Sequence, residues 1–285
     1  MSEKGRADTP LPVPRPPLYT PSALSLYRDC NQRYFLARRI RHPAVEDFSP
    51  ALERGKAVHA VLAQCAAALR AGRPVPDGLA ARVERALPHD GYPALAAWEE
   101  DAGIVLAQVG AGIAYLRRGD RILAIEQFYR WTYPGDALTP RFTLGAIADL
   151  VTANVDDEGH EYVTVTDWKS STRKSIDLLQ EVALRIVVRH ALGARYRYLV
   201  STTAHLGDGS WSAIVRDTAA CREVWREVKG LVTAIESDRL WVANPSGRCN
   251  WCQFFGNGCV LDRPLSADED DTMRWLEGRE GGWGG

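Results

Sequence analysis

Residues 165–171 read VTDWKSS, and the placement of Asp167 two positions before Lys169 decides how this chain folds. Side chains in a strand alternate between faces, so Asp167 and Lys169 point the same way as Val163 and Val165. The stretch RFTLGAIADLVT, residues 141–152, alternates in the same manner. It predicts that Asp149 shares a face with Gly145, Ile147 and Val151. Val163, Val165, Ile147 and Val151 mark both stretches as core-facing. The intervening NVDDEG is turn-forming and predicts an antiparallel hairpin. Two carboxylates and an amine thus lie at the ends of two apolar strand faces.

Taken alone, an Asp-x-Lys triplet reads as a structural ion pair at a sheet end, with Asp149 facing solvent. The combination demands more. A buried charge is costly unless it is paired or binds a metal. Two neighbouring carboxylates repel unless a cation lies between them, and Mg²⁺ or Mn²⁺ prefers such oxygen ligands.

Working outward, the chain before the hairpin is mostly helical. Thr20 or Ser22 is a helix cap with Pro21 in the first turn, and Ala23, Tyr27, Cys30, Tyr34 and Ala37 recur at helical spacing. Helices are predicted from about 50 to 70 and twice between 77 and 118. RILAIEQFYRWTY, residues 121–133, is rich in strand formers. After Lys169 the pattern predicts a helix over 175–191, strands near 196–203 and 211–215, and a helix over 218–238. The fold class is α/β, with a mixed central sheet flanked by helices. Residues 1–20, with five prolines between Pro10 and Pro17, read as a flexible leader, residues 21–263 as one domain, and residues 264–285 as an acidic, glycine-rich tail.

The composition is 46% hydrophobic and 25% charged, with a formal net charge of −1. A polyanionic partner must therefore be held by local patches rather than by a global basic field. No segment reads as a signal peptide or membrane span, and the expected location is cytoplasmic. No G-x-x-x-x-G-K-[ST] phosphate loop is present, so no motor is expected in the chain itself.

Asp149, Asp167 and Lys169 on GAIADLV and VTDWKSS resemble the signature of the PD-(D/E)XK nuclease superfamily. The resemblance implies a restriction-endonuclease-like fold and a divalent-metal-dependent deoxyribonuclease. Asp149 and Asp167 are implied as metal ligands, with the main-chain carbonyl of Trp168 as a further one, and Lys169 as the group that orients or activates the attacking water. Gly55-x-x-x-His59 resembles the RecB-like branch, in which the histidine is another metal ligand. A histidine on a largely apolar helix face is otherwise a satisfied core group. Gln180 resembles the start of that branch's Gln-x-x-x-Tyr motif, with Leu184 standing where the tyrosine would be. Glu126, in the first long strand, reads equally as an additional ligand and as a solvated edge group.

Cys249, Cys252 and Cys259 form C-x2-C-x6-C, and three cysteines within eleven residues of a cytosolic chain point to a metal. An early cysteine, Cys30, with this late triplet resembles the iron–sulfur nucleases of the RecB-like branch, which include the CRISPR-associated exonuclease family and the AddB-type nuclease domain. A [4Fe–4S] cluster is then implied, stapling the N-terminal helical cap to the C-terminal end; zinc is the alternative. The last spacing is six where five is common in that branch. Cys65 and Cys221 read as core residues.

The expected substrate is DNA, single-stranded or with free ends, with a helicase or other complex subunit as partner. Arg28, Arg33, Arg173 and Lys174 are candidates for a collective phosphate track, although any single one reads first as solvated surface. The alternative is a non-catalytic nucleic-acid-binding subunit of a repair, recombination or CRISPR complex.

Overall fold

The computed structural model describes residues 15–42, 49–170, 177–196, 198–214 and 218–261. Most of the expected leader and the tail lie outside them, as do Arg173 and Lys174.

The central sheet is mixed and six-stranded. Its strands are β1 (Leu18–Tyr19), β2 (Arg121–Tyr133), β3 (Phe142–Val155), β4 (Glu161–Lys169), β5 (Leu199–His205) and β6 (Ser210–Ile214). β3 pairs antiparallel with β2 and β4, parallel with β1; β4 pairs parallel with β5, which pairs antiparallel with β6. The β3–β4 hairpin closes where Gly159, at φ +82°, donates its N–H to Asp156 O. Glycine enters that left-handed region at little steric cost.

One face of the sheet carries α3 (Pro50–Arg70), α4 (Leu79–Ala86) and α5 (Leu95–Leu116). Val58, Val61, Leu62, Val105 and Val109 pack there against Leu150, Trp168, Ala204 and Leu206. The other face carries α1 (Pro21–Asp29), α6 (Leu178–Leu192) and α7 (Thr218–Ser237), whose Leu24, Leu179, Ala183, Val187, Val228 and Val232 cover Val151, Val163 and Val165. Each fully buried valine or leucine contributes about 1.5–3 kcal/mol relative to exposure. Cys65 is buried in the first core and Cys221 packs against the second, as expected for core residues.

Two expectations need correction. The first helix is not continuous: α1 ends at Asp29, Cys30 adopts extended backbone at φ −164°, and α2 (Asn31–Tyr34) starts afresh, followed by a π-helical turn over Phe35–Arg39. Cys30 Sγ accepts from Arg33 N and so caps α2. Tyr27, Tyr34 and Phe35 lie around the Trp241 ring.

The second correction concerns β3. Its alternation breaks at Asp149: Ala146 and Ala148 face the same core as Val151 and Ala153. The break lies opposite Glu126, which has φ +46° and no partner in the β2–β3 register. β2 takes one edge, and the opposite edge is shared by β1, at Thr143 and Leu144, and β4, at Leu150–Val155. Residues 145–149 of that edge have no strand partner among the described residues. Ile147, expected in the core, is 55% exposed in this gap.

The four cysteines Cys30, Cys249, Cys252 and Cys259 line one pocket with Leu36, Phe254 and Phe255. Burial raises the Cys259 thiol pKa, and the neighbouring Cys252, Cys30 and Cys249 add to the shift. No three of the four sulfurs lie within 4.8 Å of one another, so the expected four-cysteine cluster is not shown as a closed ligand set.

Candidate active site

The gap in the sheet is where the chemistry-bearing side chains meet. α3 brings His59, β2 brings Glu126, β3 brings Asp149, β4 brings Asp167 and Lys169, and the first turn of α6 brings Gln180. All six line one cleft, whose far wall is made by Thr20, Ser22 and Ser25 around the start of α1.

Helix α3 presents His59 to the cleft; a Cβ at Gly55, one turn before it, would lie 3.5 Å from Ser170 Oγ, in ordinary contact just past the end of β4, so the space there does not demand glycine. His59 Nδ1 lies 3.1 Å from Glu126 Oε1 and 3.5 Å from Asp149 Oδ1. Ligand atoms of these three residues all fall within 4.8 Å of one another, and among the described residues this is the only such His/Cys/Asp/Glu group. Asp149 is 8% exposed. Its Oδ2 accepts the Trp168 main-chain N–H at 2.7 Å, a donor that an unbroken ladder would direct to backbone.

The electrostatics follow from crowding. Burial pushes the Asp149 carboxyl up to about 7, opposed by His59 and the Trp168 N–H and reinforced by the charges of Asp167 and Glu126. Burial would lower the His59 pKa, yet its hydrogen bond to Glu126 and the nearby Asp149 charge raise it overall. A dense acidic group that cannot ionise freely by itself, together with an imidazole, matches the oxygen and nitrogen donors of a hard divalent cation.

Asp167 is outside the tight group. Lys169 Nζ lies 2.9 Å from Asp167 Oδ2 and donates to Gln180 Oε1 at 3.1 Å. Gln180 Nε2 in turn donates to Asp167 Oδ1 at 2.8 Å. The three form a closed ring of hydrogen bonds that holds the ammonium at the cleft. Asp177 caps α6 by accepting from Leu179 N and Gln180 N, which fixes the turn carrying Gln180. Leu184 is buried yet reaches the cleft wall.

Glu126 is the residue the sequence pattern undervalued. Its backbone lies at φ +46°, a region that L-residues other than Asn and Asp seldom enter. The β2–β3 register runs through Ile125↔Leu150 and Gln127↔Ala148, with no partner assigned to Glu126 between them. Such local distortion persists where surrounding structure holds it, and it clusters at functional sites. A glutamate in the interior of a strand carries no period-two signal for a twisted backbone.

Of the candidate phosphate contacts, Arg173 and Lys174 lie outside the described residues, and Arg28 and Arg33 do not line the cleft. Arg28 Nη1 is 3.1 Å from Glu227 Oε1, and Arg33 lines the cysteine pocket rather than the cleft. No helix among the described residues is long and apolar enough to cross a membrane.

Comparison with known proteins gives a family. The sequence matches the family described as the PD-(D/E)XK nuclease superfamily over residues 19–255. No curated protein matches. One solved structure, titled "Crystal structure of SSO0001", aligns over 71% of this chain and 92% of its own at 12% identity, with a TM-score of 0.29. A likeness that distant carries no argument here.

Proposed function

The chain belongs to the PD-(D/E)XK nuclease superfamily, and from that premise we propose that it is a divalent-metal-dependent deoxyribonuclease acting on single-stranded DNA or DNA ends. Membership itself implies phosphodiester chemistry on nucleic acid. The observation that carries the fuller reading is the convergence of His59, Glu126 and Asp149 within 4.8 Å, beside the Asp167–Lys169–Gln180 ring.

His59, Glu126 and Asp149 would hold Mg²⁺ or Mn²⁺, with Asp167 and the Trp168 carbonyl as further candidates. Such an ion, when bound, lowers the pKa of a coordinated water and offsets charge on the phosphoryl oxygens. The remaining work falls to the chain's own groups. Lys169, fixed by Asp167 and Gln180, presents a positive charge where negative charge develops as water attacks phosphorus and the P–O bond to the leaving oxygen breaks. Gln180 is a positioning residue: one amide holds both the ammonium and its carboxylate partner.

We assign the chain to the RecB-like iron–sulfur branch, on Gly55-x-x-x-His59, Gln180 and the four cysteines around one pocket. The four thiols around that pocket support a metal there, [4Fe–4S] by the resemblance, with zinc on the same thiolates as the alternative. Its role would be to tie Cys30 to the C-terminal segment across more than two hundred residues, a closure that strongly restricts the unfolded chain.

The test is cleavage of single-stranded DNA in Mn²⁺ by anaerobically purified protein, with iron and sulfide measured on the same sample. Cleavage lost in Lys169→Ala with iron retained supports the reading. Equal cleavage by wild type and variant would be contamination and would remove the catalytic assignment.

A further inference from the structure

The unpaired edge of β3 does more than hold Asp149. Gly145 and Ile147 lie along the gap, and Phe128, on β2 at the opposite edge of β3, is the cross-strand partner of Ile147. A Cβ on Gly145 would fall 2.5 Å from Phe128 Cζ and 3.0 Å from Leu18 Cδ1. The absent side chain therefore lets the Phe128 ring and the Leu18 methyl lie down over the β3 backbone. The result is an apolar step: Leu18 is 54%, Phe128 40% and Ile147 55% exposed. Phe128 and Ile147 line the same cleft as His59, Glu126 and Asp149.

Large apolar groups left in water beside a cluster of carboxylates call for an occupant. Tyr27, Tyr34 and Phe35 are not available as a platform, because they pack around Trp241. The cleft that takes a phosphate at the carboxylates also has to accept the base attached to it. A nucleobase has an apolar face suited to an aromatic and aliphatic floor, whereas a paired base in a duplex keeps that face stacked on its neighbours. We infer that Leu18, Phe128 and Ile147 form a floor for one unstacked base next to the scissile phosphate, so that the site selects strands whose bases are unpaired there. The inference rests on the nuclease reading for the identity of the polyanion, and on the exposed step for the selection.

The test uses the full-length protein and a fluorescently labelled single strand in Ca²⁺, which holds the phosphate without rapid turnover. Abasic positions are introduced one at a time along the strand. One position is expected to weaken binding by about tenfold, the scale of losing one stacked base. Phe128→Ala combined with Ile147→Ala is expected to erase the difference between the intact strand and that abasic strand. A flat abasic scan, or a base dependence that survives in the double variant, would overturn the floor. Cleavage by wild type in Mn²⁺ is read separately: cleavage with a flat scan removes the floor and leaves the nuclease, and base-dependent binding without cleavage does the reverse.

Discussion

Trp168 donates its main-chain N–H to Asp149 Oδ2 at 2.7 Å, while Asp149 Oδ1 faces His59 Nδ1 at 3.5 Å. One oxygen thus anchors the carboxylate to β4 and the other is left for the cleft. The anchor survives replacement by asparagine, whose carbonyl oxygen still accepts; the ionisable oxygen does not. This separates the fold from the charge.

Asp149→Asn is expected to stabilise the metal-free protein at pH 8. The carboxyl is raised from 3.8 to about 7, chiefly by burial. Folding therefore takes up a proton between those pH values, and this group's contribution to stability falls as pH rises from about 4 to 7 and stays lost above it. Asparagine carries no such loss. Thermal melts of the metal-free proteins should show the variant higher by about 3 °C or more at pH 8 and no higher at pH 4. Added Mn²⁺ should raise the melting temperature of wild type and leave the variant unmoved.

Lys169→Met and Gln180→Ala should differ in size. Methionine keeps the apolar stem and removes the charge, leaving Asp167 and Gln180 Oε1 without the ammonium that now joins them. Cleavage should fall by roughly 10²–10³-fold, the usual cost of one fixed charge or donor at a transition state. Gln180 acts through Lys169 and Asp167, so its removal should cost less, about 10–100-fold. The readout is kcat and KM in Mn²⁺, where both variants should lower kcat more than they raise KM.

The hairpin, its two acids and its lysine were legible because period-two alternation and turn chemistry are local properties of residues 141–171. His59 was legible only through the resemblance of Gly55-x-x-x-His59 to the RecB-like motif, since its largely apolar helix face read as core. The position of Ile147 was not. Alternation assumes regular extended backbone, and the irregularity between Ala148 and Val151, opposite Glu126 of β2, is a tertiary fact that no local window holds. Cys30 escaped for the opposite reason: apolar spacing runs on smoothly from Ala23 to Ala37, so nothing announced that a thiol cap restarts the helix there. Glu126 carried the right chemistry, but its left-handed backbone has no signature in residue pattern.

Glu126→Gly tests that backbone directly. A left-handed L-residue costs roughly 1–2 kcal/mol, and glycine removes the cost at the expense of about 0.5–1 kcal/mol of chain entropy. The metal-free variant should therefore melt no lower than wild type, even though a hydrogen bond to His59 is lost. Mn²⁺ affinity, measured by titration calorimetry, should fall at least tenfold. Glu126→Gln, which keeps the strain and loses the charge, should melt lower than Glu126→Gly. A glycine variant that is both unstable and fully metal-competent would remove Glu126 from the site.

Cys30 combines a cap with a proposed ligand, and serine separates the two. Its Sγ accepts from Arg33 N and Asn244 N, both at 3.4 Å, which ties α2 to the segment before Cys249. A serine hydroxyl is a strong helix cap and accepts the same donors, whereas alanine accepts neither and costs about 0.5–2 kcal/mol. In protein stripped of iron, Cys30→Ser should unfold within about 1 kcal/mol of wild type in urea, and Cys30→Ala should be clearly weaker. In protein purified anaerobically, both should carry little iron and sulfide, because neither side chain supplies a thiolate. If Cys30→Ser kept its full iron content, the fourth ligand would have to be sought elsewhere, and Cys30 would remain only as the cap that breaks the first helix.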